Sequence, residues 1–312
     1  MGIPIPVLFS NLAGLFLLLG AGFAAARLKL VPLQATPYFT ALLMKITLPA
    51  TIFTAILRPF APAFLRSSLV IFLLHFALFW LYALIALPAS RLFRVKEGGR
   101  GMWMMCCTFC NNGFMGYPVV LALFGEDGLA LAAMGGIAFN LLVYSLGAKQ
   151  ILKDAQEGGQ VQLSLKKLLF TGVNAATVLG IVCFCLQLQP PEFVLTPVRH
   201  LANITTPLSM FMIGMTLARG SVTAAFRDKD VFSASFMRLL ALPVLTWGIL
   251  KLLTPADPLV AWVTLIIMSM PSPAISGVLG EQYGCNSQLA ARIVFFSSLL
   301  CILTIPLVAM LP

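Results

Sequence analysis

The chain alternates between long runs of apolar residues and short polar connections. Ten apolar segments can be marked, and each is close to the roughly 20 residues that a helix needs to cross a bilayer. They occupy residues 5–26, 37–57, 66–90, 101–124, 128–149, 167–188, 194–218, 230–253, 258–283 and 287–310. The pattern predicts an all-α polytopic membrane protein with ten transmembrane helices.

The composition agrees with this interpretation. Hydrophobic residues make up 60% of the 312 residues and charged residues only 10%, whereas a soluble domain carries about 25% charged residues. The mean hydropathy is +0.99. The net charge of +10 arises from basic residues that stand singly between apolar segments. The expected partner is therefore the lipid bilayer and not a nucleic acid.

The basic residues also predict the orientation of the chain. Fourteen lie in or just beyond the odd-numbered connections between segments, and only four lie on the other side: Arg58, Arg66, Arg199 and Lys251. Lysine and arginine accumulate in cytoplasmic connections, so the odd-numbered connections should face the cytoplasm. Both termini would then lie on the outer side of the membrane.

The longest polar stretch divides the ten segments into two sets of five. It covers residues 149–167 and separates a first unit at 1–157 from a second unit at 158–312. Because five is an odd number, the second unit must enter the membrane inverted relative to the first. Inverted repeats are a common plan of transporters, in which the binding site lies at the repeat interface.

Prolines recur at matching places in the two units. Pro49 and Pro207 are 158 residues apart, on segments two and seven. Pro118 and Pro273 are 155 residues apart, on segments four and nine. The sequence therefore predicts an internal repeat in which segment four corresponds to segment nine.

Segments four and nine contain residues that a continuous membrane helix tolerates poorly. Glycine loosens the backbone, and proline removes a hydrogen bond and clashes with the preceding turn. We therefore expect two broken crossover helices at membrane depth. Half-helix N-termini and asparagine amides bind anions, so the two breaks should form a substrate-binding site. The alternative is a glycine-rich packing face between helices. The predicted substrate-binding residues here are Asn111, Asn112, Gly113, Gly116, Pro118, Pro271, Ser272 and Pro273.

Four further residues are predicted to line the same site. Asn140 and Tyr144 are four residues apart on segment five and so share one helical face. Pro49 lies in segment two, and Lys45 lies about two turns inside it. A lysine at such depth faces a cavity or a partner, unless its long side chain extends to the interface.

His75 and Arg238 are the candidates for proton or ion coupling. His75 lies in the middle of segment three, and histidine takes up a proton near an unperturbed pKa of about 6.5. The alternative is a neutral histidine bonded to a neighbouring helix. Arg238 lies about two turns inside segment eight, where the choice between a cavity and the interface is the same as for Lys45.

The acidic residues restrict the function further. All ten lie at connections or segment ends, whereas cation and proton carriers usually place Asp or Glu inside the membrane. This argues against a cation antiporter and indicates that the transported species carries the negative charge. No Ser-His-Asp set, nucleotide loop or intramembrane aspartate pair supports an enzyme or a cofactor.

The cysteines do not predict a metal site. Cys106, Cys107 and Cys110 lie close together, but no histidine or carboxylate nearby completes a set of metal ligands. Cysteines of this kind are ordinary buried residues.

Several short motifs together resemble the auxin efflux carrier family over nearly the whole chain. The motifs are Asn111-x-Gly113-x-x-Gly116-x-Pro118, Leu48-Pro49-Ala50, Thr206-Pro207-Leu208 followed by Ile213-Gly214, Met270-Pro271 with Gly284, and Thr304-Ile305-Pro306-Leu307. The chain looks like a compact bacterial member, without the long central hydrophilic loop of many plant relatives. The resemblance implies a location in the cell inner membrane.

The resemblance also implies the mechanism. Members have ten spans in two inverted repeats, with a scaffold unit of spans one, two, six and seven and a transport unit of the other six. One unit moves against the other in an elevator-type cycle, and members often dimerise through the scaffold. Substrates of the family are organic anions such as indole-acetic acid, malate or malonate.

Individual positions match the family unevenly. Asn111 matches the asparagine that contacts substrate at the plant crossover. Asn112 stands where plant members tend to have threonine, and Gly113 where they have a bulkier residue. The intramembrane aspartate of the plant third span has no counterpart, and His75 lies in that region.

The sequence thus predicts a secondary transporter of a small organic carboxylate with its site at the crossover of helices four and nine. One alternative is a sodium- or proton-coupled organic-anion symporter of the bile-acid symporter type. Another is a membrane sensor or channel built on the same fold.

Overall fold

The computed structural model describes residues 5–154, 171–220 and 222–311, and these residues form helices without strands. Most of the predicted central connection at 149–167, and the predicted boundary at 157/158, lie outside the described residues.

The first set of helices covers segments one to five. The helices are α1 at Ile5–Arg27, α2 at Thr36–Leu42, α3 at Leu48–Ile56, α4 at Pro62–Leu92, α5 at Arg100–Thr108, α6 at Tyr117–Leu142 and α7 at Ala148–Ile151. Three π-helical turns, at Leu43–Thr47, Asn112–Gly116 and Val143–Gly147, lie between them.

The second set covers segments six to ten. The helices are α8 at Gly172–Leu186, α9 at Glu192–Arg219, α10 at Val222–Arg227, α11 at Lys229–Phe236, α12 at Leu242–Leu253, α13 at Pro258–Met268, α14 at Ile275–Gln282 and α15 at Ser287–Ala309. A further π-helical turn, at Met237–Ala241, joins α11 to α12.

Seven helical stretches of the described chain are long and apolar enough to cross a membrane, which agrees with a multi-pass membrane protein. They are Phe9–Arg27, Leu33–Ile56, Pro62–Leu92, Arg100–Asp154, Glu192–Ala218, Lys229–Leu253 and Ser287–Ala309. The shorter helices α8 and α13 are also apolar.

The longest stretch, Arg100–Asp154, bends sharply at Gly125. This residue has φ 64° and ψ −159°, a conformation that is essentially restricted to glycine. A β-carbon built on Gly128 would lie 2.4 Å from the β-carbon of Phe124, although residues four apart in a continuous helix are separated by about 5–6 Å. Gly125 therefore divides α6 into two parts that fold against each other.

Prolines follow three of the π-helical turns. Pro49, Pro118 and Pro243 are each the second residue after such a turn. Proline has no N–H and its ring clashes with the carbonyl four residues earlier, and a widened turn accommodates both effects. The chain around Pro49 is therefore helical.

Packing brings the helices into two groups. In the first group α1 packs along α9, and α3 packs on α8 and α9. In the second group α4 packs on α5 and α6, α13 packs on α6, and α11 and α14 pack on α15.

The contact between α1 and α9 depends on two glycines. A β-carbon on Gly22 would lie 2.0 Å from the carbonyl oxygen of Phe211, and one on Gly214 would lie 1.9 Å from that of Leu19. The two backbones therefore approach as closely as only glycine permits, as in other small-residue contacts of membrane helices.

We predict that Gly22→Ala lowers the thermal stability of the purified protein, because its methyl group meets backbone that cannot move aside. Overpacking of this kind costs about 1–3 kcal/mol. Gly20→Ala is the matched control on the same helix, since nothing lies within 4 Å of its added carbon. Thermal unfolding in detergent is the measurement, and equal midpoints for the two variants would contradict the close contact.

Candidate functional site

The break in segment four lies where the sequence predicts it. Helix α5 ends at Thr108, Phe109 is extended, and Asn111 has φ −77° and ψ 68°. The chain becomes helical again in the π-helical turn at Asn112–Gly116. Asn111 and Asn112 are 5% and 2% exposed, so the break lies inside the protein and not at its surface.

The break in segment nine crosses the first break directly. Helix α13 ends at Met268, and helix α14 begins at Ile275. The backbone N–H of Asn111 donates a hydrogen bond of 2.8 Å to the carbonyl oxygen of Pro271. The Ser272 hydroxyl donates one of 2.9 Å to the carbonyl oxygen of Cys106. We call this contact between residues 106–116 and 268–274 the crossing.

Gly116 permits the close approach of the two chains. A β-carbon on Gly116 would lie 2.8 Å from Cδ1 of Ile267 and 3.4 Å from Cγ of Met270. Gly116 therefore allows the two chains to pack closely at the crossing. The broken helix and the glycine contact, two alternative interpretations of the sequence motif, occur together here.

Arg238 joins both chains at the crossing. Its side chain is 0% exposed. Its Nε donates to the carbonyl oxygen of Met270 at 2.9 Å, one Nη donates to Met268 at 2.5 Å, and the other donates to Cys107 at 3.2 Å. One guanidinium thus satisfies backbone carbonyls from both interrupted helices.

Tyr82 of α4 holds the guanidinium from the other side. The ring centroid of Tyr82 lies 5.4 Å from Cζ of Arg238, within the range of a cation–π contact. The Tyr82 hydroxyl is hydrogen-bonded to Thr246 and donates to the carbonyl oxygen of Leu242 at 3.1 Å. Arg238 is therefore held by α4 and α12 as well as by the crossing.

The two asparagines retain unused hydrogen-bonding groups. The Asn111 side-chain amide has no hydrogen-bond partner among the described residues. Asn112 Nδ2 lies 3.5 Å from the Tyr117 hydroxyl, and its buried Oδ1 has no partner in the described part of the chain. Because buried amides are normally bonded, these groups are available to a ligand at the crossing.

A large cavity lies on one side of the π-helical turn at Asn112–Gly116. Its volume is about 610 Å³, and Phe114 of the turn lines it. Its walls come from α2, α9, α14 and α15 and include Thr36, Thr40, Thr216, Glu281 and Arg292. Arg292 forms an ion pair of 2.8 Å with Asp228, and its side chain is 46% exposed.

A smaller cavity lies at the other end of the same turn. Its volume is about 310 Å³, and Pro118 lines it together with residues of α3 and α9 that include Thr51, Thr54 and Asn203. The two cavities thus share a wall of α9, and the segment from Phe114 to Pro118 lies between them.

The remaining predicted residues lie at different distances from the crossing. Pro49 packs against the start of α8, since a β-carbon on Gly172 would lie 3.2 Å from its Cγ. Lys45 is exposed on the outside of its turn, so it does not join the crossing. Asn140 Nδ2 donates to Asn174 of α8 at 2.7 Å, and Tyr144 is half-buried.

His75 is buried in α4, away from any of the ion pairs of the described residues. Its ring lies against Gly135 of α6, where an added β-carbon would be 2.3 Å from Nδ1. The ring also meets Phe79 edge-on, with centroids 6.3 Å apart. His75 therefore lies between α4 and α6 and does not contact the crossing.

Two roles at the crossing were not predicted from the sequence. Arg238 was a candidate for coupling, but the structure places its donors on three backbone carbonyls. Ser272 was a candidate for substrate contact, but its hydroxyl bonds Cys106 and its N–H bonds Ser297. The one sequence signal for this role of Arg238 is its depth inside segment eight, because a cation at such depth faces a cavity or a partner.

The chain is similar to known membrane transport proteins. Residues 7–309 match the family described as "Membrane transport protein". An uncharacterized transporter of Methanocaldococcus jannaschii is 28% identical over 270 residues, which cover 84% of this chain and 85% of the relative. An uncharacterized transporter of Methanothermobacter thermautotrophicus is 29% identical over 203 residues, 65% of either chain.

A third relative carries a substrate in its name. The "Putative malonate transporter" of Rhizobium meliloti is 22% identical over 294 residues, which cover 93% of this chain and 91% of the relative. The family match extends over nearly the whole chain, including both interrupted segments. The chain therefore belongs to the membrane transport protein family, the auxin efflux carrier family that its motifs resemble.

Proposed function

We propose that this protein is a secondary transporter of a small organic carboxylate, with its binding site at the crossing. The observation that carries the proposal is a pair of buried asparagines with unused groups, since the Asn111 side-chain amide and Oδ1 of Asn112 have no hydrogen-bond partner among the described residues. An amide N–H₂ donates to a carboxylate, and an amide oxygen accepts from a hydroxyl or a protonated carboxyl group.

We further propose ten spans in two inverted repeats. The interruptions at Phe109–Asn111 and at Ser269–Ala274 occupy corresponding places in the two predicted repeats. The bend at Gly125 supports two spans within Arg100–Asp154. The short apolar helix α8 then supplies span six, and the short apolar helix α13 supplies span nine together with α14.

The packing supports a division into two moving units. Helices α1, α2, α3, α8 and α9 correspond to the scaffold of spans one, two, six and seven. The second packing group corresponds to the transport unit and contains the whole crossing. A site held by one unit beside the wall of the other fits elevator-type alternating access, because sliding would expose it to each side in turn.

The two cavities support the same cycle. In the predicted orientation the 610 Å³ cavity, which contains Arg292, opens to the cytoplasm, and the 310 Å³ cavity opens to the outer side. Both are bounded by α9, and Phe114 of the turn lines the larger cavity whereas Pro118, two residues after the turn, lines the smaller one. We propose that Arg292 attracts the anion into the cytoplasmic cavity.

The proposal extends to the setting of the protein. It resides in the cell inner membrane with both termini on the outer side, and it pairs through the scaffold helices as a homodimer. The relative named for malonate supports a dicarboxylate such as malonate or malate as one substrate class, and an auxin-like acid is the other.

A coupled symporter is the second candidate, and His75 is the observation that favours it. Buried between α4 and α6, it is a titratable group in the transport unit outside the crossing. Sodium coupling through backbone and amide oxygens is an alternative form, and a sodium gradient that leaves uptake unchanged would remove it. Saturable counterflow of labelled substrate would argue against a sensor or a channel.

We predict that Asn111→Ala reduces carboxylate flux in proteoliposomes at least tenfold, because one charge-assisted hydrogen bond contributes about 1.5–3 kcal/mol. Expression and thermal stability should remain near those of the wild type, since the amide bonds no described protein group. Gln282→Ala, which removes an exposed amide at the end of α14, is the control. Unchanged flux in Asn111→Ala would place the site elsewhere.

We predict that Arg292→Gln raises the KM about threefold to tenfold for substrate presented on the cytoplasmic side only. The loss of one exposed cation weakens attraction into that cavity but leaves the opposite cavity unchanged. Arg199→Gln is the matched control, because Arg199 forms an exposed ion pair with Glu192 elsewhere. Sided uptake in oriented vesicles is the measurement, and an equal change on both sides would contradict the assignment.

For the coupled symporter, in which His75 couples proton movement to transport, we predict that a proton gradient stimulates uptake by the wild type and not by His75→Gln. Counterflow at equal pH should persist in the variant, because exchange needs no net proton transfer. His200→Gln is the control, since His200 is the second of the two histidines and lies exposed on α9. Equal stimulation of both variants would assign coupling to another group.

A further inference from the structure

Arg238 is a buried cation without a carboxylate partner in the described part of the chain. Three ion pairs occur among the described residues, and they join Arg58 to Asp127, Arg199 to Glu192 and Arg292 to Asp228. All three involve exposed side chains, whereas Arg238 is fully buried. A buried charge without compensation is costly, so the groups around Arg238 must supply the compensation.

Those groups are the C-terminal ends of two half-helices. Cys107 lies in the last turn of α5, and Met268 ends α13. A helix C-terminus carries a partial charge of about −0.5. Two such ends therefore amount to about one negative charge, which the guanidinium offsets through its bonds to Cys107, Met268 and Met270.

The N-terminal ends of the two half-helices that follow the breaks also contribute to the charge at the crossing. The turn at Asn112–Gly116 starts the second half of segment four, and α14 starts the second half of segment nine at Ile275. The N–H of Asn112 bonds the carbonyl oxygen of Cys110 at 2.9 Å, and the N–H of Ser276 bonds that of Pro273 at 3.0 Å. Each helix N-terminus still carries a partial charge of about +0.5. Without Arg238 the four helix ends at the crossing would sum to about zero.

We propose that Arg238 is a positioning residue that fixes the two interrupted chains against each other and leaves the crossing with a net positive potential of about one charge. A dianion would gain about twice the attraction of a monoanion but incur about four times its desolvation cost in a buried site, so the crossing favours an anion with a single negative charge. This inference rests on the proposed function, since it concerns the same site.

The guanidinium suits both parts of this role. It is planar, always charged and carries five donors in a fixed fork, so it reaches three carbonyls that belong to two chains. A lysine would keep the charge but could not hold the same geometry. A glutamine would keep some donors and lose the charge. The two substitutions thus separate positioning from electrostatics.

The test compares Arg238→Lys, Arg238→Gln and Ser272→Ala in proteoliposomes and by hydrogen–deuterium exchange of the segment around Asn111. Ser272→Ala removes a neutral bond between the same two chains and leaves the charge in place. Arg199→Gln controls for the loss of an arginine at an exposed site. The exchange measurement needs no transport activity.

Arg238→Gln should raise the KM for a carboxylate by on the order of tenfold, because removing one buried charge weakens the attraction of the site for an anion. Arg238→Lys and Ser272→Ala should keep the KM within about threefold and lower the maximal rate. Arg238→Lys, Arg238→Gln and Ser272→Ala should all speed exchange at Asn111, whose N–H bonds Pro271. Arg199→Gln should change neither quantity.

The charge preference is tested on the wild type, which keeps the proposal falsifiable if Arg238→Gln does not fold. Monomethyl malonate carries one negative charge at neutral pH and malonate carries two, so the ester should compete for transport at a lower concentration. Tighter competition by malonate, or an unchanged KM in a folded Arg238→Gln, would overturn the electrostatic part. Unchanged exchange in Arg238→Lys would overturn the positioning part.

The outcomes separate this inference from the proposed function. A wild-type protein that transports no carboxylate would refute the function, and the exchange of Asn111 in Arg238→Lys would still decide the positioning part. If the wild type transports a carboxylate and the Arg238 variants keep its KM and its exchange rate at Asn111, this inference alone is refuted.

Discussion

The fold of this protein depends on how two broken helices satisfy their backbone groups inside a membrane. Lipid offers no hydrogen-bond partners, so an interrupted helix is stable only where protein supplies them. Here each break supplies partners to the other, because Asn111 donates to Pro271 and Ser272 donates to Cys106. Arg238 completes the arrangement by bonding three further carbonyls from both chains. Neither interruption would be stable without the other.

This mutual dependence also explains why a binding site would form at the crossing. Arg238 and Ser272 donate hydrogen bonds to the carbonyl groups at the ends of α5 and α13. The side-chain amide of Asn111 and Oδ1 of Asn112, in contrast, have no partner among the described residues. What remains at the crossing is therefore the donor and acceptor of the Asn111 amide, the acceptor Oδ1 of Asn112 and, in the charge balance proposed above, a net positive potential. That distribution of charge agrees with a carrier of anions and with a chain whose acidic residues lie at the ends of its segments.

The sequence predicted the elements that depend on local chemistry. Long apolar segments predicted an all-helical, multi-pass membrane protein, and proline and paired asparagines located the break near Asn111, because backbone hydrogen bonding in lipid leaves few alternatives. The effect of Pro49 was different, since a widened turn at Leu43–Thr47 accommodates it within a helix. The partners of Arg238 could not be predicted, because they are backbone carbonyls, which every residue carries, and they lie 30, 32 and 131 residues away in sequence. The exposure of Lys45 likewise depends on how the helices pack.

The central claim is that the crossing binds an organic carboxylate through Asn111. A thermal-shift screen of organic acids on the purified wild type and on Asn111→Ala tests it most directly, because a ligand raises the unfolding temperature by mass action. The account predicts that at least one carboxylate stabilises the wild type and that the shift is lost in the variant. An equal shift in both proteins, or no shift with any acid, would contradict it.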